Sequence, residues 1–238
     1  MTKQEFEKDF WILWFEGQDE KERTKMWLPS KRPHQIPEEF LECLWICSGL
    51  KDPLIVEIGT MGGHTKKFWT KLLKATYIGI DSNPNAQADV CGDSGSPQTR
   101  DLVRQKTGGR RPNILFVDGN HSPGAVRKDW ENWKDVIAPG GFICFHDTHH
   151  DHAEYCSGAV KLWQAVQPVW KGLTWDIFYK TDYLPRAQTG QRKQCGIGML
   201  QVPTPPPPPA PPAPVIKPVQ GNISKTGNSA KNSRRRKN

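Results

Sequence analysis

From Pro53 onward, short runs rich in β-branched residues alternate with helical segments, and this alternation constrains the chain more than any other feature. Leu54–Ile58, Tyr77–Ile80, Ile114–Val117 and Phe142–Phe145 read as strands. Lys66–Lys74, Thr99–Lys106 and Ala125–Val136 read as the helices between or after them. Continuous apolar strands separated by helices predict a parallel sheet covered on both faces. Further on, Ala159–Trp170 reads as a helix, and Trp175–Lys180 and Gly196–Val202 as two strands. With no helix between them, these last strands should be antiparallel to each other. With a short third strand before Asp93, the expectation is an α/β fold of Rossmann-like type. It has a seven-stranded, mostly parallel sheet, the last strand antiparallel, and helices on both faces.

Residues 1–50 read as helical. Thr2 and Glu5 have the spacing of a capping box, and Phe6, Phe10, Leu13 and Trp14 fall on one helical face. A second helix opens at Pro37 with Phe40, Leu41, Leu44 and Trp45 apolar. Lys31-Arg32-Pro33-His34 between them reads as a connection rather than a flap over a pocket. From Pro203 the composition changes: ten of the 21 prolines lie there, and the chain ends in Arg234-Arg235-Arg236-Lys237-Asn238. Such a segment cannot bury enough apolar surface to offset its ordering entropy, so polyproline II followed by disorder is expected. Three parts follow: a helical cap over 1–52, a catalytic-type domain over 53–202, and a Pro-rich basic tail over 203–238.

The net charge of +8 suggests a polyanion binder until it is placed along the chain. Seven Lys or Arg and no acid fall in 203–238, leaving 26 basic against 25 acidic residues in 1–202. The body is therefore nearly neutral, and any protein or nucleic-acid contact through charge is expected from the tail. Six cysteines without a CxxC pair read as reduced thiols of a cytoplasmic protein. The apolar run Phe10–Phe15 is far shorter than the roughly 20 residues of a membrane span.

In a doubly wound sheet, ligands sit beyond the carboxyl ends of the strands. The first strand runs into Glu57-Ile58-Gly59-Thr60-Met61-Gly62-Gly63-His64-Thr65, a glycine-rich turn that allows close backbone approach and precedes a helix start with unpaired N–H groups. Its G-x-x-G-G spacing differs from the G-x-G-x-x-G of dinucleotide binders. The second strand ends in Asp81-Ser82, a carboxylate placed about 20 residues after the glycines to accept from ribose hydroxyls. Asp93-Ser94 follows a short third strand. The fourth strand releases Asp118-Gly119-Asn120-His121, and the fifth releases His146-Asp147-Thr148. Five strand ends thus direct polar or charged groups at one crevice.

Glu57-Ile58-Gly59 with Gly62-Gly63-His64-Thr65, then Gly79-Ile80-Asp81, Gly92-Asp93-Ser94, the Asp118-Gly119-Asn120-His121-Ser122 run, and Pro139-Gly140-Gly141 followed by His146-Asp147-Thr148 resemble a class I S-adenosylmethionine-dependent methyltransferase. More narrowly the chain resembles methyltransferase family 24 and the related cephalosporin hydroxylase and rhamnosyl O-methyltransferase group, over roughly 53–202. The resemblance implies that Glu57, Gly59, Thr60, Met61, Gly62, Gly63 and Thr65 hold the methionine part of S-adenosyl-L-methionine. Asp81 and Ser82 would serve the ribose, and Asp93 and Ser94 would border the adenine. Asp118 would lie beside the sulfonium and, with Asp147 and His146, bind a divalent metal; Thr148 stands where catechol-type relatives place an asparagine ligand.

A physical case for the metal stands beside the resemblance. Two carboxylates on adjacent strand ends repel when ionised, and Mg²⁺ or Mn²⁺ relieves that repulsion while lowering the pKa of a bound hydroxyl. His121 is a candidate base for that proton, with a hydrogen-bonding role in the pocket as the alternative. His149-His150-Asp151-His152 lacks zinc-ligand spacing and reads as a polar loop. Trp130, Trp133, Trp163 and Trp170 read as core, whereas Trp11, Trp14 and Trp27 are open between core and the wall of an acceptor pocket. The expected activity is O-methylation of a small-molecule or saccharide acceptor. A non-catalytic cofactor-binding adaptor acting through the tail is the alternative. A nicotinamide oxidoreductase is disfavoured by the glycine spacing.

Overall fold

The computed structural model describes residues 1–18, 33–149, 153–179 and 195–205. Two helices lead the chain, α1 (Lys3–Trp14) and α2 (Pro37–Cys47). β1 (Leu54–Ile58), a π-helical turn (Phe68–Leu72), β2 (Thr76–Asp81), β3 (Val90–Cys91) and α3 (Pro97–Lys106) follow. Then come β4 (Ile114–Val117), α4 (Pro123–Trp133), β5 (Phe142–His146), α5 (Ala153–Val166), a 3-10 turn (Gln167–Val169), β6 (Thr174–Ile177) and β7 (Ile197–Gln201). The strands form one sheet in the order β3-β2-β1-β4-β5-β7-β6. β1 to β5 pair in parallel, and β7 runs antiparallel to both β5 and β6. The expected seven-stranded mixed sheet is therefore present. Its chain order reverses between β1 and β4, which opens a crevice at their carboxyl ends.

Period-two alternation splits the sheet's side chains between two cores. Ile55, Tyr77, Ile114, Phe116, Phe142, Cys144, Ile197 and Met199 face α1, α2 and the π-helical turn. Leu54, Val56, Ile58, Ile80, Leu115, Val117, Ile143 and Phe145 face the other layer, which supplies Val103, Trp133 and Trp163. Both faces being covered explains why the strands read as unbroken apolar runs. Trp133 and Trp163 are buried, with Trp130 and Trp170 packed against the same cluster. Trp14 joins the opposite core and Trp11 packs against it; neither lines the main cavity, and Trp27 lies outside the described residues.

Local chemistry accounts for the helix ends. The α1 capping box forms between Thr2 and Glu5, and Ser96 caps α3 through the Thr99 amide at 3.2 Å. Proline occupies the first turn of α2, α3 and α4, where its missing N–H costs nothing. Several segments depart from the sequence expectation, among them α3, which starts at Pro97 and not Thr99, and β6, which runs from Thr174 to Ile177 and not from Trp175 to Lys180. The segment expected as an ordinary helix over 66–74 is π-helical from Phe68 to Leu72, a wider turn in which consecutive Phe68 and Trp69 are both fully buried. α4 begins at Pro123 and ends at Trp133, two and three residues before the expected bounds. α5 begins at Ala153, six residues before the expected start, and ends at Val166, because Pro168 disfavours helical backbone at the residue before it.

Candidate functional site

The carboxyl ends of β1, β2, β4 and β5 open into one cavity of about 1040 Å³. On the β1–β2 side, backbone geometry shapes it. Gly59 has φ +87°, and a Cβ there would lie 2.1 Å from the Asp118 carbonyl oxygen, so only glycine lets the β1 and β4 tips approach this closely. Met61 also sits at positive φ, and its amide donates to Asp81 Oδ2 at 2.9 Å. Asp81 Oδ1 accepts from the Asn83 amide at 2.9 Å, so its carboxylate is fixed from both sides. Beneath the turn, Glu57 is buried and accepts from Thr65 Oγ1 at 2.6 Å and the Tyr77 hydroxyl at 2.5 Å. Burial pushes the Glu57 carboxyl up to about 7 and raises the Tyr77 phenol, keeping Tyr77 a hydrogen-bond donor.

Beside β3, the wall is braced by α4. Ser94 Oγ donates to Asp129 Oδ1 at 2.6 Å, while Asn132 Nδ2 and Trp133 Nε1 donate to the Ser94 carbonyl at 2.8 and 2.9 Å. Burial pushes Asp129 up to about 6. Asp93 Oδ1 accepts from the Gly95 amide at 3.0 Å.

The β4 and β5 tips carry ionisable side chains instead. Asp118 Oδ1 lies 2.9 Å from His146 Nδ1 and 3.5 Å from His121 Nε2, and His121 Nε2 lies 3.4 Å from Asp147 Oδ2. Ligand-capable atoms of all four residues fall within 4.8 Å of one another. Burial opposes a charge on His146, but the Asp118 and Asp147 carboxylates outweigh it and raise the imidazole well above its usual value. Asp147 adopts φ +61°, a left-handed conformation that aspartate tolerates better than most residues. The backbone after β5 is tied to the chain entering β7 by Thr148 N–H to the Gly196 carbonyl and His149 N–H to the Cys195 carbonyl. Glu39 of α2, fully buried and pushed up to about 7 by burial, accepts from the Gly196 and Tyr179 amides at 2.9 and 3.0 Å.

Of the residues singled out from sequence, Glu57, Gly59, Thr60, Met61, Gly62, Thr65, Asp81, Ser82, Asp93, Ser94, Asp118, His121, His146 and Asp147 all line this cavity. Gly63 does not; it turns the chain at φ +68°, its amide donating to the Thr60 carbonyl at 2.7 Å. The segment before α2, read as a plain connection, contributes Pro33, His34 and Gln35 to the lining. Gln35, which sequence reasoning missed, donates from Nε2 to Asp118 Oδ2. Asp129 was missed as well, being one acid among the polar positions of an amphipathic helix. The His149–His152 loop lies outside the described residues from 150 onward.

The strand order, with a cavity at the topological switch point, is that of a Rossmann-like open α/β sheet. Residues 56–148, from within β1 to just beyond β5, match the family model described as a methyltransferase domain, that of methyltransferase family 24. No curated protein sequence matches the chain. Among solved structures, the O-methyltransferase TomG from Streptomyces achromogenes, in complex with SAM, is similar at 13% identity over 86% of this chain and 100% of its own, with a TM-score of 0.47. CalS11, a calicheamicin methyltransferase, is similar at 12% identity over 83% and 91%, also at 0.47. MycE, a methyltransferase of the mycinamycin biosynthetic pathway in complex with Mg, SAH and mycinamycin VI, is similar at 14% identity over 64% of this chain, with a TM-score of 0.46. The chain spans 45% of MycE's length. Likeness at this level assigns neither acceptor nor metal to this chain. No helix among the described residues is long and apolar enough to cross a membrane.

Proposed function

We propose that the protein transfers the methyl group of S-adenosylmethionine to a hydroxyl oxygen of a small-molecule or saccharide acceptor, with a divalent cation assisting. One observation carries this reading: the Asp118–His121–His146–Asp147 cluster and the Met61–Asp81 turn open onto the same cavity. The turn, with Asp81 for the ribose hydroxyls and the Asp93–Ser94 segment for the adenine, would set the sulfonium beside Asp118. Methyl transfer is an in-line displacement: the acceptor oxygen bonds to the methyl carbon, the carbon–sulfur bond breaks, and its electron pair stays on sulfur. Positioning oxygen against methyl therefore supplies much of the acceleration.

The two carboxylates, converging at adjacent strand ends, suit an oxygen-seeking divalent cation, with the imidazoles of His121 and His146 beside them. Asp118 and Asp147 would hold Mg²⁺ or Mn²⁺, and His146, expected from the sequence as a third ligand, would instead brace Asp118, its Nδ1 lying 2.9 Å from Oδ1. A bound cation supplies Lewis acidity that lowers the pKa of the acceptor hydroxyl. His121, within 3.5 Å of both carboxylates, would take the acceptor's proton. Gln35 orients Asp118 by holding its second oxygen. In this reading the methyltransferase unit spans 53–202, preceded by a helical cap over 1–52.

The test is transfer of a labelled methyl group to a panel of hydroxyl-bearing small molecules and saccharides, with Mg²⁺ or Mn²⁺ and with EDTA. The reading expects label on an acceptor oxygen, lost with EDTA and in Asp147→Asn. Cofactor binding without transfer to any acceptor, and no retained metal, would instead support an adaptor acting through the 203–238 tail.

A further inference from the structure

Three buried thiols converge away from the cavity, and neither cofactor binding nor methyl transfer uses them. Cys43 and Cys47 stand four residues apart on α2, so both leave the same face of that helix. Cys144 lies in the middle of β5 on the sheet face that α2 covers. The three sulfurs lie within 4.8 Å of one another, each residue is fully buried, and none is in a disulfide. Met199, another sulfur side chain, stands opposite Cys144 in the β5–β7 register and belongs to the same buried cluster.

We propose that Cys43, Cys47 and Cys144 form a metal site for Cu(I), clasping α2 to β5. The donor set is the first argument. A group made of sulfur alone, without a carboxylate, selects soft ions and disfavours the oxygen-seeking cations suited to Asp118 and Asp147. The number of donors is the second. Structural zinc takes four nitrogen or sulfur ligands, whereas Cu(I) is satisfied by three sulfurs in a plane. Distance is the third. Metal–sulfur bonds of about 2.3 Å place three coplanar sulfurs roughly 4 Å apart, so these thiols need only small side-chain rotations to close on an ion. Three cysteines packed merely as small hydrophobes would need no such convergence from two separate elements. The site lies two residues before His146 on the same face of β5, so a bound ion would stiffen the strand that carries the β5 tip. None of this depends on the methyl-transfer reading.

The experiment uses the full chain, reduced and anaerobic, titrated with Cu(I) buffered by the coloured chelator bicinchoninate. One equivalent should be withdrawn by the wild type and by Cys91→Ser, whose cysteine is exposed and outside the cluster. Cys43→Ser and Cys144→Ser should weaken binding by at least the roughly 10–100-fold that loss of an outer-shell partner costs a metal site. Copper-edge X-ray absorption of the loaded wild type, which depends on no variant folding, should show three sulfur neighbours. Failure to withdraw Cu(I), a first shell dominated by nitrogen or oxygen, or equal retention by folded Cys43→Ser would overturn the assignment.

Discussion

The two halves of the cavity are built by different means. On the β1–β2–β3 side main-chain groups fix the acids that line the cavity, through the Gly59 approach, the Met61 amide on Asp81 and the Gly95 amide on Asp93, while the Glu57 and Asp129 side chains brace the wall from behind. On the β4–β5 side they are side chains, with Asp118, His121, His146 and Asp147 leaning on one another and on Gln35. A backbone-built half is set once the turn folds, whereas a side-chain-built half depends on partners delivered by distant segments. Under the proposed function, this is the division expected where one cofactor is kept and the acceptor varies.

The largest expected effect falls on the side-chain half. Asp118→Asn should cut methyl transfer by about 10²–10⁴-fold, the usual range for a positioned acid–base arrangement, while S-adenosylhomocysteine affinity by calorimetry changes much less. Equal losses in both would dissolve the distinction between the halves. Next, Asp81→Ala should weaken cofactor binding by roughly 10–100-fold, the loss of about 1.5–3 kcal/mol of charge-assisted hydrogen bonding, with transfer restored by saturating cofactor. Unchanged cofactor affinity would remove the ribose role. A smaller effect is expected at Gln35: Gln35→Ala should lower kcat by about tenfold, near the 1–1.5 kcal/mol of one hydrogen bond, with cofactor affinity intact.

The smallest effect is one of pH on stability. Asp129, and likewise Glu39 and Glu57, hold their protons more tightly when folded than the usual carboxylate. For a carboxyl with a raised folded pKa, stability is greatest below the unfolded value and is lost as pH rises through the folded one. Unfolding midpoints should therefore fall between pH 4.5 and pH 7.5, and Asp129→Asn should make that fall shallower. A midpoint that rises over this range, or a slope indifferent to the substitution, would contradict the burial assigned to these acids.

The contrast also explains what could be read from the sequence. The strands were legible because both faces are covered, and Asp81 because a glycine turn and a strand end fix its spacing. Asp118, His121, His146 and Asp147 could be placed at neighbouring strand ends once the sheet was recognised. Gln35 was not legible: it lies 83 residues from Asp118 in the chain and meets it only through tertiary packing. Gly63 has the same local signature as Gly62, yet its role is to turn the backbone, a distinction carried by φ and not by residue type. The π-helical turn was hidden because an apolar pattern reports which residues are buried but not an extra residue in the turn.

The most direct measurement is a crystal structure with S-adenosylhomocysteine and Mg²⁺. The account predicts ribose hydroxyls on Asp81, the sulfur directed at the Asp118 and His121 side chains, and room for an acceptor beside His146 and Asp147. A ligand bound away from the β1–β2 turn, or a sulfur facing away from the β4 tip, would contradict it.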